Sequence, residues 1–568
     1  MRTFLSTLLL LSALTVAAQT PGYYHPDDVA VVNDIIENNG LQWPKADPVD
    51  GSSIPDEWIG VGWTEEETDN RIISLDLVNQ SLTGELDVSQ LTGLQQLLCS
   101  SWIIIEYDNQ GDGQQQNDMM NDNYLNRLTS LYASGCTNLQ HLDCRFNRLT
   151  SLDIWQCDAL ETIDCATNML EKLNVEGLTQ LKNLYCSSNN LTTLYLTGCT
   201  NLTYLYCSDN KLSSLDVSGL DNLLWLFCSF NEMTSLDMTG LSNLQWLHCS
   251  DNSFTSIDLT GLTGLETLAC DVNKLTSLDV TGLYNLTNLS CAYNNLTSLD
   301  LSGCASLLSI SCSYNNLSTI NLPELPELTI LNCIENSLTE LDFSGLPNLK
   351  YLYCNSNKLT ELDLSNLPHL EILICNYNNL KALDVTGQPE LENLICNDNH
   401  LTFLDLRANN NLTWFDGSGQ TSWLTFTGDD NYYTANIVFD DGVTFDNAAF
   451  SYENGLLTFT GEEVRSFNFI SPTGLRDWTL TGNIAASYET VINPANDPLT
   501  QVDPLKSYVQ NGRLYVCGLM VGEPWRVYHV SGVLVYQDTA TGSAANLNLP
   551  ARGLYIVISG AQSAKAIY

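Results

Sequence analysis

Leu223-Leu-Trp-Leu226-Phe-Cys228-Ser-Phe-Asn231-Glu-Met233, continuing as Thr-Ser-Leu236-Asp237-Met-Thr-Gly240-Leu241, is one copy of a unit that returns every 21 residues between Leu139 and Leu401. Cysteine keeps the count: Cys144, Cys165, Cys186, Cys207, Cys228, Cys249, Cys270, Cys291, Cys312, Cys333, Cys354, Cys375 and Cys396 follow one another without insertion or deletion. Leu226 and Cys228 are two apart, so on a strand they share a face, and Trp225, Phe227 and Ser229 point the other way.

A period of roughly 20 to 29 residues written L-x-x-L-x-[L/C]-x-x-N-x-L specifies a leucine-rich-repeat solenoid. One unit cannot bury its own leucines, so units must stack and the stack must be capped. Strands sit about 4.8 Å apart, so sixteen of them make a parallel concave sheet roughly 70 Å along its contour. Asn231 and its equivalents from Asn147 to Asn399 are predicted to bond the backbone of adjacent turns. The following Thr-Ser-Leu-Asp-x-[ST]-Gly is too short and too β-branched for a helix. It predicts an extended or 3₁₀ convex side with glycine in a turn. The predicted fold class is a β-rich, right-handed superhelical solenoid followed by two small all-β modules.

The net charge of −45 disfavours nucleic acid and anionic lipid as partners. Much of the acidity falls on one repeat position: Asp216, Asp237, Asp258, Asp279, Asp300, Asp342, Asp363, Asp384 and Asp405. An Asx turn, with each carboxylate bonding a backbone N–H two residues on, is preferred there to a row of calcium sites. Arg2 followed by the apolar run from Phe4 to Ala18 has the form of a signal peptide, and no later stretch has the length of a membrane span. An exported chain, at the cell surface or outer membrane or extracellular, without a transmembrane segment and monomeric, is expected.

Nineteen cysteines in an exported chain usually mean disulfides. Here fourteen, counting Cys99, occupy the inward strand position, and Cys136, Cys157, Cys199 and Cys304 replace a leucine. Neighbouring ladder thiols have parallel Cβ vectors, too far apart to bridge. Eighteen reduced, buried thiols acting as small hydrophobes are predicted.

In chain order, residues 1–18 read as the signal peptide and 19–70 as a capping segment. There Asp27-Asp28 are expected to cap a short helix with Val29, Val32, Ile35 and Ile36 on one face, ending near Asn38-Asn39-Gly40. Residues 71–417 form the solenoid, with an insertion within 100–126, because Cys99 and Leu128 are 29 residues apart where the pattern demands five. Asp108, Gln110 and Asp112-Gly113 in the insertion have some of the spacing of a calcium loop, but Met119 stands where its glutamate belongs. Residues 418–488 read as a β-rich C-cap module with strands at 423–426, 435–439, 450–452, 455–459 and 467–469. A linker at 489–504 carries Pro494, Pro498 and Pro504. Strands at 512–516, 525–528, 532–536, 545–549 and 553–558 build an all-β unit over 505–568.

Trp58-Ile-Gly60-Val61, Arg71-Ile-Ile-Ser-Leu75-Asp76-Leu77 and Leu82-Thr-Gly84 resemble the N-terminal cap and first repeat of many leucine-rich-repeat proteins, without their flanking cysteines. The 21-residue unit with cysteine at the inward position resembles the cysteine-ladder repeats of internalin J-type bacterial surface adhesins over about residues 71–417. Asn511-Gly512-Arg-Leu514-Tyr-Val516, Val527-Tyr528 leading to Gly532-Val-Leu534-Val-Tyr536, Leu549-Pro-Ala-Arg-Gly553-Leu-Tyr555-Ile-Val557 and Lys565 resemble the sorting domain of type IX secretion substrates. That resemblance implies passage across an outer membrane through the secretion machinery, with the domain then removed. Leu549-Pro-Ala-Arg-Gly553 lies amid strands and does not support a sortase anchor.

Nothing points to a cofactor, a metal or an enzyme: C-x-x-C, H-E-x-x-H, G-x-S-x-G and phosphate-loop motifs are absent. Asp143 and Asp164, outward on adjacent strands about 5 Å apart, have the separation of a retaining glycosidase pair, which leaves a glycoside hydrolase as a remote alternative to solvated carboxylates. The outward residues are more telling. Tyr185, Tyr204, Tyr206, Trp225, Phe227, Phe230, Trp246 and His248 gather large rings on neighbouring turns, and Tyr351 and Tyr353 start a second group with Ile372, Ile374 and Ile395. Tyr293, Tyr314 and Tyr377 line the strand exits. An exposed apolar patch of this kind predicts a protein ligand on a host or neighbouring cell. The alternatives are a glycan stacked on the same rings, or cross-strand packing that serves only the sheet. Asp209 and Asp251 beside the rings are placed to meet basic groups or sugar hydroxyls.

Overall fold

The computed structural model describes residues 23–47, 49–66, 69–101, 125–429, 432–460, 464, 466–474, 477–489 and 506–567, except 511–512, 518, 520–521, 530–533, 542–543, 550–553 and 560–561. The signal-peptide reading of 1–18, the calcium-loop reading of 108–119 and most of the proposed linker lie outside these residues. Two compact units result, residues 1–489 and 490–568, each taken by itself below.

Alternating burial produces the solenoid turn. Leu226 and Cys228 are fully buried while Trp225 and Phe227 are only partly covered. The strand Trp225–Phe227 pairs in parallel with Tyr204–Tyr206 on one side and Trp246–His248 on the other, shifted by one period each time. Sixteen such strands, from Ile72–Asp76 to Trp414–Asp416, form the concave sheet, and Val61–Trp63 adds an antiparallel edge. Gln96 pairs with His141, 45 residues on, so the sheet keeps its register across the insertion. The convex return is extended, with short parallel pairs such as Lys172–Asn174 against Thr193–Tyr195. Gly219 and Gly240 sit there at φ 75° and 94°, where a side chain is strained.

The predicted columns are all present. Asn231 Nδ2 donates to the carbonyls of Cys207 and Cys228, both at 3.1 Å, and its Oδ1 accepts from Leu212 N at 2.9 Å. Each amide thus staples its turn to the preceding one, satisfying backbone groups that no strand reaches. Asn126, just past the insertion, opens this column, and Gln420 closes it by donating to Cys396 O at 2.8 Å. On the convex side, the Asp237 carboxylate accepts from Thr239 N at 3.0 Å, and the other eight aspartates form the same Asx turn.

The eighteen described cysteines are free and buried. Burial pushes the thiols up, to about 12 for Cys207 and Cys312, so they stay protonated and unreactive. The four thiols outside the ladder do more than fill space. Cys157 and Cys199 donate to the carbonyls of Ala133 and Val175, each at 3.1 Å.

Helix α1 spans Pro26–Asn39. His25, not Asp27 or Asp28, is its N-cap, since Pro26 fits the first helical turn and His25 Nδ1 accepts from Asp27 N. Asp28 is instead fully buried. Its carboxylate takes two bonds from the Arg71 guanidinium at 2.7 and 3.0 Å and one from Ile72 N at 2.7 Å, pinning the helix onto the first turn. Among the described residues no helix is long and apolar enough to cross a membrane.

Past the last turn, a seven-stranded sheet covers the open end of the stack. Its first strand, Gln420–Asp429, pairs in parallel with Thr479–Glu489, a strand that the alternation of residues does not reveal. The strand expected over 435–439 ends at Asn436, and Phe439 packs edge-on to Phe445, Tyr452 and Phe469 instead. Gly417 stands where the cysteine ladder would continue because a Cβ there would meet the Phe415 ring and Leu480 Cδ1, the latter at 3.1 Å. The second unit has a three-stranded sheet (Lys506–Gln510, Arg513–Cys517, Ala544–Asn548) and a four-stranded one (Pro524–His529, Leu534–Thr539, Leu554–Ser559, Gln562–Ile567). Both are antiparallel, and Leu514, Val516, Trp525, Val527 and Val557 fill the core.

Candidate recognition face

Register alone places the outward rings in two rows, because each strand presents two outward residues one period from the next. Tyr204, Trp225 and Trp246 form one row, with ring centroids 4.9 and 5.0 Å apart. Tyr185, Tyr206, Phe227 and His248 form the other, at 5.0, 4.5 and 4.3 Å. Tyr206 and Phe227 lie 11° from parallel, and Trp225 and Trp246 20°. These two pairs stack face on face, Tyr204 meets Trp225 edge-on at 67°, and Tyr185–Tyr206 and Phe227–His248 are tilted by 31° and 39°, so neighbouring rings cover much of one another. All seven are consequently half-buried, not the openly exposed patch that residue identity suggests. Phe230 differs: it is 58% exposed and joins no ring stack among the described residues.

Burial also sets the ionisation of this wall. The Tyr185 and Tyr206 hydroxyls are pushed up by desolvation. His248 is pushed down for the same reason, opposed by the nearby Asp271 carboxylate, so its imidazole is largely uncharged at neutral pH. Asp271 is well satisfied, accepting from Ser290 Oγ at 2.5 Å, Ala292 N at 2.8 Å and Ser250 Oγ at 3.2 Å.

The second group is separate. Tyr351 and Tyr353 lie five strands beyond Trp246–His248, past strands bearing small or polar residues. The Tyr351 hydroxyl donates to Glu371 at 2.9 Å, and Lys350 holds the same carboxylate. The structure therefore unites Tyr185 through His248 and leaves the second pair apart.

Asp143 and Asp164 face each other in register, but Arg145 bridges them at 3.2 and 3.1 Å. Burial, and then the charge of Asp143, push Asp164 up to about 6. The two aspartates and Arg145 form a largely buried ionic triad, not an open acid pair awaiting a sugar. Spacing along the chain finds the two aspartates; Arg145 comes from the next outward position. Among the described residues no three His, Cys, Asp or Glu side chains converge as metal ligands.

The strand-exit column of Tyr293, Tyr314 and Tyr377 has a backbone conformation that sequence reasoning missed. Thirteen residues, one per turn from Phe146 to Asp398, hold φ between 52° and 56°, in the left-handed region, and none is glycine. The backbone bonds on both sides impose this turn, as when Phe230 N donates to Ser250 O at 2.9 Å. Tyr293 and Tyr314 stack at 4.2 Å in this column. No residue preference reveals it, since it tolerates Phe, Tyr, Thr and Val alike.

These features define a leucine-rich-repeat solenoid with one ring-lined wall. A family model described as "Leucine Rich repeats (2 copies)" matches residues 137–178 and 179–222. The fold is similar to the functional domain of InlJ from Listeria monocytogenes, which includes a cysteine ladder: identity is 27%, the match covers 75% of this chain and 94% of that one, and the TM-score is 0.54. YopM from Yersinia enterocolitica (26% identity, 59% and 66% covered, TM-score 0.49) and a leucine-rich-repeat protein of Leptospira interrogans (24%, 62% and 89%, 0.46) also match. No curated protein matches the sequence. The chain has the leucine-rich-repeat solenoid fold and, like that Listeria domain, carries a ladder of inward-facing cysteines.

Proposed function

We propose that this is an exported, cell-surface recognition protein that is not an enzyme and binds a protein partner through the ring-lined part of its concave sheet. The observation that carries the reading is the continuous double row of rings from Tyr185 to His248, placed at the centre of the curved wall. Leucine-rich repeats are a scaffold for protein interaction, and the cysteine ladder shared with the functional domain of InlJ from Listeria monocytogenes, together with the resemblance of the repeat to bacterial surface adhesins, supports a place outside the cell. The leader-like residues 1–18 and the sorting-type pattern after Gly512 support export by type IX secretion. The chain is proposed to act as a monomer.

The mutual packing favours a protein over a glycan, because a sugar ring needs an open aromatic face and Tyr206 with Phe227, and Trp225 with Trp246, already cover faces of one another. Trp225→Ala combined with Trp246→Ala is expected to weaken capture of a surface-protein ligand at least tenfold, measured by pull-down and biolayer interferometry. Unchanged affinity would remove these rows from the binding site. Deleting residues 512–568 is expected to leave the protein in the periplasm, and normal surface display after that truncation would refute the sorting role.

A further inference from the structure

We infer that the exit edge of the concave face receives a cationic protein segment, with arginine side chains seated at Phe230 between Asp209 and Asp251. This rests on the protein-recognition reading above and names the chemistry of the partner.

Asp209, Phe230 and Asp251 hold the same position on three successive turns, at φ 56°, 55° and 53°. Turns spaced by about 4.8 Å put the two carboxylates roughly 10 Å apart with the phenyl ring between them. Phe230 is the one ring of the cluster whose faces no other described ring covers. Neither the Asp209 nor the Asp251 side chain has a hydrogen bond or ion pair among the described residues. Acids elsewhere on this wall are occupied: Asp143 and Asp164 by Arg145, Asp271 by Ser250 and Ser290, Asp398 by Asn397. Asp251 is moreover pushed up by partial burial and by Asp271, as befits a carboxylate lacking a cation.

The charge of the face points the same way. From His141 to Gly419 the outward strand positions carry one guanidinium, Arg145, already claimed by two aspartates, and no lysine; the cation nearest the seat is Lys211, exposed two residues past Asp209. A basic partner meets few like charges on this wall, whereas an acidic one meets a chain of net charge −45. Arginine suits the seat better than lysine. Its planar, weakly hydrated guanidinium stacks on an aromatic face while its N–H groups reach a carboxylate at the side.

The test uses the full chain and fluorescein-labelled extended peptides carrying two arginines three residues apart, which span about 10 Å. Lysine and citrulline versions serve as comparisons, with binding read by fluorescence anisotropy in 0.15 M NaCl. Asp209→Asn with Asp251→Asn is expected to weaken the arginine peptide at least tenfold. The convex pair Asp237→Asn with Asp258→Asn, an identical change of charge, should move it less than twofold. Phe230→Asn, which tolerates the left-handed backbone, should erase a preference for arginine over lysine of at least threefold. Equal weakening by the convex pair would reduce the effect to bulk charge and overturn the inference, as would no binding of the arginine peptide. If the two tryptophans govern ligand capture while Asp209 and Asp251 do not, this inference fails and the wider reading stands.

Discussion

Aspartate repeats on both walls of the solenoid, and the two sets behave in opposite ways. On the convex back, Asp237 and its equivalents are exposed, each bonded within its own turn, and those bonds hold the carboxyl below the usual range. On the concave wall, Asp143 and Asp164 are buried, bonded across turns by one shared arginine, and pushed upward by desolvation. The back solves its electrostatics locally, turn by turn. The wall solves it between neighbours or leaves it open for something else. A surface whose polar groups are already satisfied has little to offer a ligand, so the contrast itself directs attention to the wall.

The largest effect should come from breaking the shared arrangement on the wall. Arg145→Ala strands two buried carboxylates and is expected to cost about 3–5 kcal/mol at pH 8, by urea denaturation. At pH 5, where Asp164 is largely protonated, the cost should shrink; equal cost at both values would contradict the raised carboxyl. Next in size is the staple beneath both walls. Asn231→Ala leaves the Leu212 N–H without its acceptor, while the Cys207 and Cys228 carbonyls keep Asn210 and Asn252 as donors, and should cost about 1–3 kcal/mol. A loss well under 1 kcal/mol would mean that water replaces the amide.

Titration sharpens the same contrast. A raised Asp164 binds its proton more tightly in the folded chain than in the unfolded one. Its contribution to stability is therefore full below the unfolded value and is lost as pH rises through about 6. The lowered Asp237 works the other way: its contribution is present above the usual carboxylate value of 3.8 and fades as pH falls through its depressed one. Carboxyl carbon shifts followed from pH 8 to pH 2 should show Asp164 turning over first, and the reverse order would undo the comparison. The smallest effect is expected from Asp237→Ala, a barely measurable change in the denaturation midpoint, because an exposed turn exchanges one hydrogen bond for water.

Much of this architecture is readable in advance for one reason. A strict 21-residue period gives every residue in a column the same environment, so one turn, correctly read, is thirteen turns read. The leucines, the cysteine ladder, the asparagine staples and the convex Asx turns follow from the spacing of side chains along a single turn. Gln420 escaped that logic because it closes the asparagine column with a different residue. Asp28 escaped it because its partner, Arg71, is 43 residues away and outside any repeat.

The sequence by itself determined which residues face inward, which face outward, and that the chain must pile into a curved parallel sheet, because periodicity and hydrophobicity act within one turn. Only the tertiary structure decided that the rings pack against one another, that Arg145 closes the aspartate pair, and that Phe230 sits uncovered between two unpaired carboxylates. Those outcomes depend on distances and orientations between turns. The same outward residue is packed, paired or free according to what the neighbouring coil places a strand's width away.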